Sequence, residues 1–299
     1  MILFCIFAFS NISVMKRFFT NVIVLICMTC LFFAGCDKIE GEFYQIVQNE
    51  DVTVTFPDVD PDAVYRKVLV EEFTGHRCTN CPQGHQTLES LHQQYGDTLV
   101  TVGIHYGSLA KPFGSMFSYD FRTEAGNQIG DAFGIDGIPA AIVNRVQKTG
   151  GWPREQWASV VRDVDRSKVY AAVQLINEYE MASKTLKANA KVTALKEFDY
   201  QLRLILFVVE DGVVKPQKDG NQEIEDYVHN HVLRCALTDP FGFLLGKETW
   251  QNGDAEMYAA SVSYDGHDWK PENCYVVAAL YDPTTSEVLQ VEKAKVINR

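Results

Sequence analysis

Cys78-Thr79-Asn80-Cys81 carries the chemistry most readily read from this 299-residue chain. Two intervening residues let two sulfurs come within bonding distance. From Pro82 to Tyr95 the spacing is helical, with Leu88, Leu91 and Tyr95 on one stripe. A proline suits a first helical turn, where its missing N–H costs nothing. The first sulfur is therefore expected at a helix N-terminus, where unpaired N–H groups and the helix dipole favour thiolate. Such a thiolate attacks another protein's disulfide, forms a mixed disulfide and is released by the second thiol. Arg77 adds a neighbouring cation that favours thiolate further. The same region also permits a zinc or copper site made of His76, Cys78, Cys81 and His85. The blander account of His85 is an ordinary helix-surface residue. Covalent haem is disfavoured because Pro82, not histidine, follows Cys81. No cofactor motif is present, so none is expected.

Other reactive side chains give weaker signals. His229 and His231 fall on one face of an expected strand, where packing or surface roles are commoner than ligand binding. Cys235 and Cys274 form either a disulfide across a sandwich or two separately buried thiols, and spacing does not choose between them. His105 ends an expected strand, with a solvated end the plainer reading. Trp152, Trp157, Trp250 and Trp269 read as core. No nucleophilic serine elbow, phosphate loop or glycosidase-like carboxylate pair stands out.

The elements that must position the cysteines alternate. Lys67–Phe73 reads as a strand rich in branched residues, Leu99–His105 as a second and Ala140–Val146 as a third. Tyr119–Phe133 and Pro153–Arg166 read as helices, the latter with Trp157, Val160, Val161 and Val164 on its apolar face. That alternation predicts an α/β domain over 63–168. After Tyr170 the helical period vanishes. Strands are expected at 171–179, 186–195, 200–210, 227–237, 257–264, 274–281 and 288–296, which predicts an immunoglobulin-like β-sandwich over 169–299.

Ahead of both lies a leader. Met15-Lys16-Arg17, the apolar run from Phe18 to Cys30, and Leu31-Phe32-Phe33-Ala34-Gly35-Cys36 have the plan of a secretory signal over residues 1–35, with Met15 as a plausible true start. The ending resembles a bacterial lipobox. That resemblance implies acylation of Cys36, export and membrane attachment through the lipid. Residues 36–62 read as an acidic linker, with Val52–Phe56 as a short edge strand. Loss of Lys16 and Arg17 makes the net charge of −12 more negative still, which disfavours a nucleic-acid partner. Three of the eight cysteines, Cys5, Cys27 and Cys30, fall in the leader. Export would place the remaining thiols where disulfides persist.

Val68 to Pro82 resembles the active-site segment of thioredoxin-like proteins, and Ile135-Asp136-Gly137-Ile138-Pro139-Ala140 resembles their cis-proline loop. The resemblance implies that Pro139 lies beside the dithiol, that Ile138 offers backbone to a bound peptide, and that Glu72 is the buried carboxylate serving the resolving cysteine. Strand alternation places Glu72 with Val68 and Val70, and burial would raise its pKa. Arg77 stands where the family usually has tryptophan, which removes an aromatic surface for substrate. The leader, Glu71-Glu72-Phe73-Thr74-Gly75 before Cys-x-x-Cys-Pro, the Gly137-Ile138-Pro139-Ala140 loop and Tyr227–Arg234 together resemble the twenty-eight-kilodalton outer membrane protein family of Gram-negative lipoproteins. That family implies a thioredoxin-like domain followed by an immunoglobulin-like one at the outer membrane. Two functions remain open at this point. One is a thiol–disulfide oxidoreductase acting on protein thiols or disulfides, with Cys78 as nucleophile and Cys81 as resolver. The other is a binding or scaffold lipoprotein with a static Cys78–Cys81 bridge. Redox direction, membrane face and oligomeric state are not encoded legibly.

Overall fold

The computed structural model describes residue 39, residues 44–146 and residues 149–297. The leader, Met15 and Cys36 lie outside the described residues. Ile39–Arg299 forms one unit. Its elements begin with β1 (Ile46–Gln48), β2 (Val68–Thr74), α1 (Cys81–Tyr95), β3 (Leu99–His105), α2 (Glu124–Ala132), β4 (Ala140–Val143), β5 (Trp152–Pro153) and α3 (Trp157–Asp163). Strands then follow: β6 (Ala171–Glu180), β7 (Thr185–Ala194), β8 (Arg203–Glu210), β9 (Val213–Val214), β10 (Gln217–Asp219), β11 (Gln222–Ile224) and β12 (Val228–His229). The last are β13 (Val232–Ala236), β14 (Phe243–Leu244), β15 (Ala255–Ser263), β16 (Cys274–Tyr281) and β17 (Val288–Lys295). The molecule is thus β-rich with few helices.

Two sheets organise it. The larger has nine strands in the order β17-β16-β8-β13-β3-β2-β4-β5, with β14 beside β8; the smaller is β1-β15-β7-β6. The change of pattern near residue 169 is real, but it is not a gap between bodies. β13 pairs in parallel with β3 at Val232 and Gly103, so strands from either side of residue 169 share one sheet. Gly103 permits this closeness: its N–H donates to the His231 carbonyl at 2.6 Å, and a Cβ there would lie 3.2 Å from the same oxygen.

β8 shows how the halves are welded. Its run Leu204-Ile205-Leu206-Phe207-Val208-Val209 lacks alternation because both faces are buried. Leu204, Leu206 and Val208 pack with Leu186, Ala190, Val262 and Val276 between the two sheets. Ile205, Phe207 and Val209 pack the other way, in a second core with Leu69, Phe73, Val102, Ile129 and Val277. A third cluster lies under α1 and α3, where Val68, Val70, Leu88, Leu91, Trp157 and Val161 meet.

Inside the second core, Arg145 donates to both carboxylate oxygens of Glu71, at 2.6 and 2.9 Å, and to the Pro240 carbonyl at 2.8 Å. Both side chains are fully buried. The rings of Phe207, Phe241 and Tyr281 surround the guanidinium. The backbone turns sharply there, with Asn144 and Arg145 at φ 47° and 54°. Asn144 Oδ1 accepts from Leu69 N–H at 2.8 Å, which anchors that turn to β2.

Several sequence expectations are corrected. Within the 36–62 linker, residues 44–62 are not free chain: β1 pairs with β15, Tyr44 hydroxyl donates to the Arg234 carbonyl, and Gln174 donates to the Pro57 carbonyl. The edge strand is Ile46–Gln48, not Val52–Phe56. The 119–133 helix begins only at Glu124, after Thr123 caps it through Gly126 N–H. The 140–146 strand stops at Val143, where the left-handed turn begins, and the 153–166 helix shortens to 157–163. The 227–237 strand breaks at His231, which adopts φ 58°. Cys235 and Cys274 do not form a disulfide. β8 lies between their strands, with Cys235 opposite Val208 and Cys274 opposite Glu210. Two strand spacings are roughly 9–10 Å, beyond disulfide reach. Burial pushes the Cys274 thiol pKa up.

Two outcomes follow. Arg145→Met should destabilise the protein by about 3–5 kcal/mol, because it strands a buried carboxylate; denaturant unfolding of this variant and of Glu71→Leu/Arg145→Met should show the double variant to be the more stable. Alkylation of the unfolded, unreduced protein should modify Cys235 and Cys274 while sparing Cys78 and Cys81, as read by peptide mass spectrometry.

Candidate functional site

Cys78 and Cys81 form a disulfide, with their Cα atoms 5.4 Å apart. Cys81 opens α1 and Pro82 occupies its first turn. β2 delivers the loop, and a second loop braces it: Arg77 N–H donates to the Leu109 carbonyl at 3.1 Å. Gly75 is required by that closeness, since a Cβ would lie 2.9 Å from Leu109 backbone. A hairpin made of β10 and β11 braces the other side. Lys218 N–H donates to the His76 carbonyl at 2.8 Å and Gly220 N–H to the Thr79 carbonyl at 2.9 Å. Gln217, fully buried, donates through Nε2 to the carbonyls of Cys78 (3.0 Å) and Gly75 (3.3 Å).

The Ile138–Pro139 peptide is cis. Cys78 Sγ contacts the Ile138 carbonyl oxygen at 3.7 Å; a bonded sulfur has no proton to donate, so this is a packing contact. A cleft of about 240 Å³ runs alongside, lined by Tyr106–Leu109 and Ile135–Ile138. Only 2% of Cys78 and none of Cys81 reaches solvent. Arg77 does not point at the sulfurs. Its guanidinium donates to the Ser108 carbonyl and sits 4.9 Å from the Phe113 ring centroid.

Glu72 lies buried under α1, on the face of β2 shared with Val68 and Val70. Gly84 makes room for it, because a Cβ there would lie 3.0 Å from Glu72 Oε1 and 3.3 Å from Pro139 Cβ. Burial raises the Glu72 pKa to about 8. His85 is no ordinary surface residue. Its Nε2 stands 3.5 Å from Glu72 Oε1 and 3.0 Å from Thr74 Oγ1, and its Nδ1 hydrogen-bonds Tyr227 hydroxyl at 2.6 Å.

Around these lies an imidazole cluster that sequence reasoning missed. His105 is buried, not solvated, and stacks on Phe121 at 4.2 Å, with His229 at 5.6 Å. His229 and His231 part company: His229 packs on Phe121 and Tyr227, whereas His231 pairs with Asp211. His76 lies between Phe117 and Phe121. Burial is the main cause that lowers all four pKa values, to about 4 for His76 and His85, about 3 for His229, and well below the usual value for His105. The Tyr227–His229 alternation hinted at this grouping; nothing in the sequence singled out Gln217 or Phe121. Among the described residues, no three histidine, cysteine or acidic side chains are arranged to hold a metal. With both sulfurs bonded together, the His76–Cys78–Cys81–His85 metal site is not formed. Of the tryptophans, Trp157, Trp250 and Trp269 are core, while Trp152 is half-buried.

The cluster fixes a pH response. Unfolding lets each imidazole bind a proton near pH 6.5, whereas burial keeps the folded imidazoles neutral well below that pH. The unfolded state therefore gains protons first, and stability falls as pH drops from 6.5 toward 4. Each histidine held neutral should cost about 1.4 kcal/mol per pH unit across that window. Unfolding midpoints measured at pH 7, 6 and 5 should fall progressively, and His105→Phe should fall less steeply.

Among solved structures, the chain resembles HBP35 of Porphyromonas gingivalis over 78% of this chain and 76% of that one, with 18% identity and a TM-score of 0.60, a likeness of fold. A protein from Agrobacterium tumefaciens aligns over 78% of this chain and 96% of its own at 13% identity and a TM-score of 0.49. A domain of the outer membrane lipoprotein Omp28 from Porphyromonas gingivalis aligns over 43% of this chain and 88% of its own at 23% identity and a TM-score of 0.30. No match was found among curated proteins. No helix among the described residues is long and apolar enough to cross a membrane. The model for outer membrane protein Omp28 matches residues 126–299, which takes in the cis-proline and the whole C-terminal β-region but starts beyond the cysteine pair. A match over more than half of the sequence places this chain in the Omp28 family of exported outer membrane proteins.

Proposed function

We propose that this protein is a lipid-anchored thiol–disulfide oxidoreductase of the outer membrane, built as a thioredoxin-like unit fused to an immunoglobulin-like sandwich. The observation that carries the reading is the grouping of a Cys78–Cys81 disulfide at a helix start, a cis-Pro139 and a buried Glu72 with a pKa of about 8. A buried carboxyl that titrates near the working pH can deliver a proton to a leaving thiolate and recover it later. Cys78 is the sulfur attacked or attacking, Cys81 resolves, and Ile138 offers backbone to a protein thiol or disulfide entering the adjoining cleft. Arg77 shapes the rim of that cleft through Ser108 and Phe113. Cys36 carries the lipid. Because the body is already packed from Tyr44 onward, little chain separates it from the anchor, which confines partners to those near the membrane.

The scaffold reading has its own observation. Cys78 is almost fully covered and its loop is held by Gln217, Lys218 and Gly220, as suits a static bridge. A static bridge should have a reduction potential below about −300 mV. Exchange with a model protein disulfide should proceed with the wild-type chain and vanish in Cys78→Ser. In Cys81→Ser, a stable mixed disulfide should form and name the partner. Unchanged exchange in Cys78→Ser, or no trapped species in Cys81→Ser, moves the conclusion to the scaffold.

A further inference from the structure

We propose that His85 and Tyr227 form a proton relay that connects Glu72 to solvent, so that the C-terminal β-region takes part in opening and closing the Cys78–Cys81 bond. The inference rests on the oxidoreductase reading for its biological use, but the chemistry can be measured without a natural partner.

The groups stand in a file, with Glu72 Oε1 buried and without a hydrogen bond in the resting fold. Glu72 Oε1 stands 3.5 Å from His85 Nε2, and His85 Nδ1 stands 2.6 Å from Tyr227 hydroxyl. Glu72 is otherwise sealed beneath α1, against Gly84, Trp157 and Pro139. Tyr227 is half-buried and Val228 beside it is exposed, so the file ends at the surface. A sealed acid must exchange its proton through some neighbour, and His85 is the titratable side chain paired with it. Thr74 Oγ1, 3.0 Å from Nε2, helps to hold the ring so that Nε2 bears its proton toward β2 and Nδ1 accepts from Tyr227. Other charged and titratable groups also face the file. His229 lies 6.5 Å from the His85 ring and 4.9 Å from that of Tyr227. Burial first, and His231 after it, disfavour a cationic His85, while burial, then Glu72 and Asp219, disfavour a free tyrosinate. These neighbours favour passing the proton in concert, with neither ring left charged.

The step balances as follows. A partner thiolate attacks Cys78 Sγ and forms a new S–S bond. The Cys78–Cys81 bond breaks, and Cys81 leaves with the electron pair. Cys81 takes the Glu72 carboxyl proton, and Glu72 takes the Nε2 proton of His85. Nδ1 takes the Tyr227 hydroxyl proton, and Tyr227 takes one from water. The partner sulfur is oxidised, Cys81 is reduced, and one solvent proton has moved inward. Closure runs the same file in reverse.

The test uses the oxidised full-length protein in detergent, with dithiothreitol as the probe. The rate of disulfide opening is followed from pH 5 to 9 and corrected for the thiolate fraction of the probe. Tyr227→Phe removes one oxygen from a half-buried side chain, and His85→Ala opens a space for added imidazole. Both variants should open the bond at least about tenfold more slowly near pH 7. Imidazole should restore His85→Ala and leave Tyr227→Phe slow. Rate–pH profiles that superimpose on wild type in both variants would overturn the relay. So would a slow His85→Ala that imidazole does not rescue while Tyr227→Phe runs at the wild-type rate. Glu72→Gln separates the two ideas: a slow Glu72→Gln beside wild-type relay variants removes only the relay. Normal relay behaviour without any trapped protein in Cys81→Ser removes only the oxidoreductase reading.

Discussion

Glu71 and Glu72 are neighbours on β2, and strand alternation sends them to opposite faces of one sheet. Everything about the site depends on how those two acids are accommodated. Glu71 enters the core between the halves, where Arg145 answers it with two hydrogen bonds and Pro240 takes a third from the same guanidinium. Burying such a pair is costly unless its geometry is complete, and here the planar guanidinium also lies among three rings. Arg145 reaches Glu71 because the chain turns left-handed after β4. The same turn ends the strand that follows cis-Pro139. The pair, the turn and the proline loop are thus one mechanical unit. Glu72, on the other face, meets a helix packed closely enough to require Gly84, and burial shifts it toward the neutral acid.

The shared sheet gives this arrangement its second constraint. β13 runs beside β3, so the segment before β13 must pass over the end of the sheet where the cysteine loop sits. That passage supplies Gln217, Tyr227 and His229. The C-terminal region is therefore part of the wall and part of the electrostatics of the site. The family match, which begins at residue 126, therefore covers segments that pack against the disulfide at residue 78. The matched region contains the bracing hairpin and the proline loop, although it contains neither cysteine.

Much of the local structure was legible because local rules governed it. The strand, the cysteine spacing and Pro82 place α1 correctly, and β16 matches its expected span of 274–281. What failed was tertiary. The parallel register that joins β13 to β3 depends on Gly103, and a lone glycine inside a strand says only that something approaches. The separation of Cys235 from Cys274 depends on β8 being inserted between their strands, which strand spans alone do not reveal. Strand alternation puts His229 and His231 on one face, and the left-handed break at His231 that separates them leaves no clear mark in the sequence. The 36–62 segment reads as a spacer because its charge dominates; Ile46, which pairs opposite Val262, is the signal that outweighs it.

The disulfide is surrounded by titratable groups whose burial has a cost. A buried carboxyl held near neutrality and four imidazoles kept uncharged all lower stability somewhere in the ordinary pH range, and apolar residues of similar shape would pack there at no such cost. Local choices that oppose stability gather where function demands them. His76 and His85 flank the two cysteines in sequence and Glu72 lies under the same helix, so part of that cost falls beside the disulfide. The Cys78 sulfur touches the Ile138 carbonyl, and the cleft lined by Ile135–Ile138 and Tyr106–Leu109 opens beside that contact. The cleft and the hairpin thus lie against different parts of the cysteine loop, one through Ile138 and the other through His76, Cys78 and Thr79.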